Sequence, residues 1–472
     1  MDINKPHASI ACEHERWNIN ADVIAGHYAV KRRGVKYLPK AFSDQEAKDY
    51  KAFKDHVSFY PAANRTLTGL LGLMFRRAPV LENEGIVEAQ LKDVITRDGK
   101  TINELAKEVC KAYLTTAFYG LLVDHPSGTA TSAGEAIAEG IRPYVLQYPS
   151  HSILEVRRGV VGARRALTYV RVLDDEDTVR VLELVGGIYQ VSIWTKEAEG
   201  WQPGPTITPR RNGQPFREIP FVLLSEDDML CPQPAIMDHV VQLNLDHYRV
   251  QGLLTSCHMF ISTPMLFAKG LEKGAEDKLT VSPGAIIAAE GENADLKWVA
   301  PSGDGIPSLE RQLERTEDKL AVVASRILAR QKAVAEAAET EALRQGAENS
   351  VLASIANHIS AKITQALQLV ALWTDGSTVN YQLNTDYLPA KMDASEISAL
   401  FTVYQGGGMS FESFFFALRD RGVHNETLTL KEEEKRIEAD ADRRAGVAPV
   451  TVVSGQPAPF SPIQESGERP SP

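Results

Sequence analysis

Four aspartate–histidine dipeptides, Asp55-His56, Asp124-His125, Asp238-His239 and Asp246-His247, carry the side-chain types that acid–base or metal chemistry would need. Neighbours on a helix point about 100° apart. A ligand set would therefore need His239 and His247 joined by carboxylates from distant segments, and no metal-ligand spacing in the chain supplies it. Asp124-His125-Pro126 directly follows the apolar run "GLLV", where an α/β enzyme places catalytic groups, but the same trio is also the composition of a turn. No GxxxxGK[ST] loop, HExxH helix or GxSxG elbow is present, and "SGDGIPS" has its glycines outside a strand-to-helix context. Cys12, Cys110, Cys231 and Cys257 stand singly, so neither a disulfide framework nor a zinc site has its spacing. A metal- or nucleotide-dependent enzyme would have to rest on Asp124, His125 and Asp246. The expectation is a chain with no catalytic centre, metal or cofactor.

A second chemistry is charge recognition. From Ser308, a predicted helix carries Glu310, Glu314 and Asp318 at i, i+4 and i+8, an acidic column. Arg311, Arg315 and Lys319 form a basic column about 100° around the same helix. Like charges repel within each column. Two readings are open: a solvated face whose neighbouring charges compensate each other, or a head-to-tail contact in which one copy sets acid against the base of the next.

The elements that must hold these residues follow from periodicity. In "FYPAANRTLTGLLGLMFRRAP" (59–79), Leu67, Leu70, Leu71, Met74 and Phe75 make one helical stripe. Gly69 and Gly72 lie off it, and glycine costs about 1 kcal/mol there, so close approach of a second element or a bend is expected. Arg76 and Arg77 suit the helix C-terminus, and Pro79 stops it. A second helix runs from about Ile102 and gives way near Gly120 to a strand. From Arg142 to Leu224, "ALTYVRVL", "TVRVLELV" and "IYQVSIW", separated by "DDED" and "GG", read as antiparallel hairpins, with "NGQPFREIPFVLL" closing the sheet region.

Helices dominate beyond. One spans Pro232 to about Cys257, with Ile236, Val240, Leu243, Val250 and Leu254 as a stripe broken at His247. Strand-like "PMLFA", "GAIIAAE" and "LKWVA" form a small insert at 258–307. The helix from Ser308 packs through Leu309, Leu313, Leu320 and Ile327, and a long helix follows through Trp373. After a strand "TVNYQL", capping-box spacings at Asp393/Glu396 and Thr429/Glu432 start two of the three remaining helices. The Pro/Ser/Gly-rich end is expected to be disordered.

With 472 residues, about three units are expected. A net charge of −11 argues against gripping nucleic acid through a basic face, yet does not exclude a protein that lets DNA slide past. The N-terminus "MDINKPHASIACEHERW" has no apolar core segment, so no secretory signal is expected, and no run reaches the ~20 residues of a membrane span.

Several stretches together resemble the portal proteins of tailed bacteriophages, in particular a portal-like branch built on a domain of unknown function. They are "HYAVKRRGVKYLP" (27–39), the segment 59–79, "GLLVDHP" (120–126), "RPYVLQY" (142–148), "IPFVLL" (219–224), "LNLDHYR" (243–249) and "AETEALRQGAENSVLASIA" (338–356). The resemblance implies a mainly helical α+β portal fold: wing 1–232, stem helix 233–257, clip 258–307, returning stem helix 308–330, tunnel loop and tunnel helix 331–374, a wing strand 375–392, crown helices 393–442 and a disordered tail 443–472. It also implies a virion protein without enzymatic activity, in a homo-oligomeric, typically dodecameric ring at one capsid vertex. Double-stranded DNA would pass through it non-specifically, and its partners would be the terminase large subunit and neck, adaptor and capsid proteins, with no membrane. On this reading Gln331, Lys332, Glu336, Glu339 and Glu341 line the channel, and the two charge columns of the stem meet neighbouring subunits.

Overall fold

The run Phe118–Asp124 is apolar without alternation, which is the signature of a strand buried on both faces. In the computed structural model it is the centre of the fold. The residues described are 2–83, 85, 87–126, 141–211, 213–226, 229–262, 265–269, 295–299, 303–328, 338–385, 387, 394–420 and 430–445. They divide into two units, Met1–Tyr387 and Leu388–Pro472.

The first unit opens with helices α1 (His14–Ala25), α2 (Ala47–His56) and α3 (Ala62–Met74), strand β1 (Val80–Glu82) and helix α4 (Ile102–Thr116). Strands β2 (Phe118–Asp124) and β3 (Tyr144–Pro149) precede a five-stranded meander. Its strands are β4 (Ile153–Val161), β5 (Arg164–Asp175), β6 (Thr178–Val185), β7 (Ile188–Glu197) and β8 (Gly200–Pro203), each antiparallel to the next. Then come β9 (Phe221–Ser225), α5 (Met237–Ser262), the pair β10 (Met265–Lys269) and β11 (Asp295–Val299), α6 (Ile306–Leu328), α7 (Ala338–Trp373) and β12 (Asn380–Gln382), which pairs with β1.

β2 sits between β9 and β3 in an antiparallel sheet. Tyr119, Leu121, Val123, Val222 and Leu224 face the helices, while Phe118, Leu122, Phe221, Leu223 and Tyr148 face the meander. The sheet is thus the shared wall of two cores. Gly120 is required there, because a Cβ would fall 2.3 Å from the Phe221 ring.

Several expectations hold in detail. The "GG" between β6 and β7 is Gly186 (φ 58°) and Gly187 (φ 78°), the two left-handed residues of a tight hairpin turn. In α3, Leu67, Leu70 and Met74 are buried.

Others differ. The strands of 142–224 fall in three sheets rather than one, since β9 pairs with β2 and not with the meander, and Arg210–Arg211 pairs separately with Gln214–Pro215. Helix α4 ends at Thr116, because Ala117 turns left-handed at φ 51°. Gly72 has open space around it, so nothing among the described residues presses close there.

Helix α5 starts at Met237, where Asp238 accepts the backbone N–H of Ala235 at 3.0 Å, and continues past Cys257 to Ser262 because Met259, Phe260 and Ile261 offer no break. Helix α6 begins at Ile306, slightly ahead of its expected start, and α7 begins at Ala338.

The second unit holds α8 (Ala394–Gln405), α9 (Phe411–Asp420) and α10 (Leu430–Ala445). Tyr404 of α8 stacks on Phe414 of α9, ring centres 4.8 Å apart. The turn between them uses Gly407 at φ 73°. Helix α10 runs to Ala445, into the segment expected to be disordered. Asp393, Thr429, "GAIIAAE" and residues 446–472 lie outside the described residues. Among the described residues no helix is long and apolar enough to cross a membrane.

Candidate functional site

Helices α5 and α6 pack along each other as an antiparallel hairpin. His247 Nε2 lies 3.0 Å from Glu317 Oε1, and Ile261 lies beside Gly303. The first contact joins the two helices, and the second joins the end of α5 to the turn just before α6. Beyond the hairpin's far end, β10 pairs with β11 from Met265↔Val299 to Lys269↔Asp295.

The inner face of α6 is the expected one. Leu320 is buried, and Leu309 and Leu313 are half-buried, with Thr316 and Val323 extending the same stripe. The side chain of Ile327 lies outside the described set. The outer face holds Glu310, Glu314 and Asp318 beside Arg311, Arg315 and Lys319, all exposed. Among the described residues none of the six forms an ion pair. Arg311 Nε donates instead to the Pro307 carbonyl at 3.0 Å.

The proposed channel residues fall where α6 leads into α7. Gln331, Lys332 and Glu336 lie outside the described residues. Glu339 and Glu341 belong to the first turns of α7.

The residues of the enzyme reading are committed elsewhere. Arg180 holds Asp124 at 2.8 Å and Asp174 at 2.9 Å, and Tyr148 donates to Asp174 at 2.5 Å. Burial opposes charge on Arg180, but Tyr148 and the two carboxylates outweigh it and raise its pKa. His125 stacks on Trp373 with ring centres 4.9 Å apart, and its Nδ1 lies 2.8 Å from the Pro126 carbonyl. Asp246 is exposed and pairs with Arg249 at 3.0 Å. Asp238 ties α5 to α1 through Asn20 at 2.5 Å and Arg16 at 3.5 Å, while His239 is exposed. His56 Nδ1 lies 2.7 Å from the Ala52 carbonyl of its own helix. No cluster of three or more metal-ligating side chains occurs among the described residues.

Two features escaped sequence reasoning. The His247–Glu317 pair was visible only as a polar interruption of the α5 stripe. The capping box of α4, in which Thr101 Oγ1 accepts from the Glu104 N–H and Glu104 accepts from the Thr101 N–H, had a readable signal in its T-x-x-E spacing.

A family described as a domain of unknown function (DUF4055) matches residues 237–374. That segment begins with the first residue of α5 and ends one residue beyond α7, so it contains the hairpin, its β-pair and the long helix. No curated protein matches the chain. Among solved structures, the chain is similar to a component of the neck of an empty gene transfer agent (GTA) particle computed with C6 symmetry, with 10% identity, 76% of this chain and 89% of the other covered, and a TM-score of 0.40. It is also similar to a chain of the virion of the native gene transfer agent particle, with 10% identity, coverages of 81% and 96%, and a TM-score of 0.35. A third likeness is to the native GTA neck computed with C12 symmetry, with 12% identity, coverages of 83% and 99%, and a TM-score of 0.34.

Proposed function

We propose that this chain is a portal-like subunit. Copies close into a ring at the head-to-tail junction of a phage-like particle, and double-stranded DNA passes along the ring axis during packaging and ejection. The observation that carries this reading is α6, which bears two parallel columns of exposed charge without ion-pair partners among the described residues. Each column costs a few tenths of a kcal/mol per like-charged neighbour. In a closed ring each copy offers one side to its left neighbour and the other to its right, and acid then meets base at every interface.

The succession of elements supports the same reading. A mixed wing of helices and sheets leads into the α5–α6 hairpin with its β-pair, and a long helix and a separate helical unit follow. These correspond in order to wing, stem, clip, returning stem, tunnel helix and crown. The junction between α6 and α7, with Gln331, Lys332, Glu336, Glu339 and Glu341, is the segment assigned to the bore. The net charge of −11 suits a conduit, because each phosphate neutralised by a basic side chain would add to binding and slow the DNA.

The chain is then a docking platform rather than an enzyme. A terminase partner supplies the ATP hydrolysis, and neck, adaptor and capsid proteins hold the ring at its vertex. Sedimentation of the purified protein tests the reading: a species of several hundred kilodaltons supports a ring, and a monomer at high concentration overturns it.

A further inference from the structure

The N-terminal segment crosses both cores like a strap. Ile3 packs with Leu154, Val179 and Val181 of the meander, and Arg171 donates to the Lys5 carbonyl at 3.0 Å. The N–H of His7 donates to Leu154 O at 2.8 Å. On α1, Trp17 is buried and stacks on Phe118 of the central sheet, ring centres 6.0 Å apart. Asn20 donates to Thr115 O at 2.8 Å and to Asp238.

At the crossing point three rings form a triangle. His14 lies 5.0 Å from His151 and 5.5 Å from Trp17, and His151 lies 5.4 Å from Trp17. His151 sits in the corner between β3 and β4. The Nε2 of His14, the Nε2 of His151 and the Nε1 of Trp17 are all buried without a hydrogen-bond partner among the described residues.

We propose that His14 and His151 are a pH-sensitive clasp, which holds the N-terminal strap on the two sheets near neutrality and releases it on acidification. Charging both imidazoles would place two cations 5.0 Å apart, and neither ring has an ion-pair partner among the described residues. The nearby carboxylates are already engaged. Glu13 and Asp238 flank Arg16 at 2.7 and 3.5 Å, and Glu155 of β4 holds Arg171 at 3.1 Å and Arg157 at 2.5 Å. On the strap itself, His7 bonds Ser9, and Lys5 pairs with Asp2.

Burial lowers the pKa of His14 below the ordinary 6.5. Burial lowers that of His151 too, with His14 pushing the same way against a hydrogen bond to the His14 backbone. The undocked strap therefore binds protons more readily than the docked one. Docking is fully stabilised above pH about 6.5 and loses stability as pH falls below that value toward the lowered docked values. This clasp does not depend on the ring reading.

Hydrogen–deuterium exchange of the full chain at pH 7.5 and 5.0, corrected for intrinsic rates, tests it. In the wild type, exchange in 8–20 and 150–156 should rise measurably at pH 5.0, because protons bind the undocked rings more readily than the docked ones. Amides of α3 and α4 should stay protected. The double variant His14→Phe/His151→Phe, which keeps aromatic volume without a titrating group, should lose the rise. Unchanged wild-type protection, or the same rise in the variant, overturns the proposal. Histidine NMR of the wild type decides the matter should the variant not fold: midpoints below 6.5 for both rings support the clasp, and a midpoint at or above 6.5 for either overturns it.

Discussion

His247 Nε2 and Glu317 Oε1, 3.0 Å apart, tie the middle of α5 to the middle of α6. The histidine side chain is 6% exposed and the glutamate 54%, so the Nε2 of a buried ring on one helix is satisfied by a half-solvated group of the other. A double-mutant cycle with His247→Phe and Glu317→Gln should show a coupling of about 0.5–1.5 kcal/mol in urea unfolding. Additive effects would mean that the pair does not set the hairpin's register.

Gly120 yields a steric prediction. Gly120→Ala drives a methyl into the Phe221 ring, whose Cζ would lie 2.3 Å away, and should destabilise the chain by about 1–3 kcal/mol. Phe221→Leu in the same chain should recover part of the loss. Thermal unfolding of the two variants checks both statements.

Arg180 sits between Asp124 and Asp174 with its side chain 10% exposed. Arg180→Met leaves two carboxylates facing each other without their cation, and about 3–5 kcal/mol of stability should be lost. Adding Asp124→Asn and Asp174→Asn should restore much of it. Chemical denaturation reads the difference, and a cost for Arg180→Met alone below about 1 kcal/mol would show that the triad contributes little.

How legible these features were depended on the range of the interactions behind them. The meander was readable because strand runs and the Gly186–Gly187 turn are local, and the period-four charge columns of α6 are local too. The separation of β9 from the meander was not readable, because the pairing of Phe221–Ser225 with β2 spans about a hundred residues. Nor was the triad that gathers positions 124, 174 and 180. The polar position in the α5 stripe looked like an interruption, although it is a cross-link to Glu317. Gly72 marked an exposed helix face rather than a close approach.

Charge reversal tests the candidate interface. Arg315→Glu, on the exposed face of α6, should leave the fold of the single chain intact, since surface changes of this kind usually stay within about 0.5 kcal/mol. It should shift the assembly toward smaller species, and adding Glu314→Lys should partly recover the ring. Analytical ultracentrifugation separates these outcomes, and assembly indifferent to both changes would remove α6 from the interface.

Electron micrographs of the purified chain test the central claim most directly. The account predicts annular projections of uniform diameter, with a central hole wide enough for duplex DNA. Solitary particles without a hole, at concentrations where the protein is folded, would contradict it.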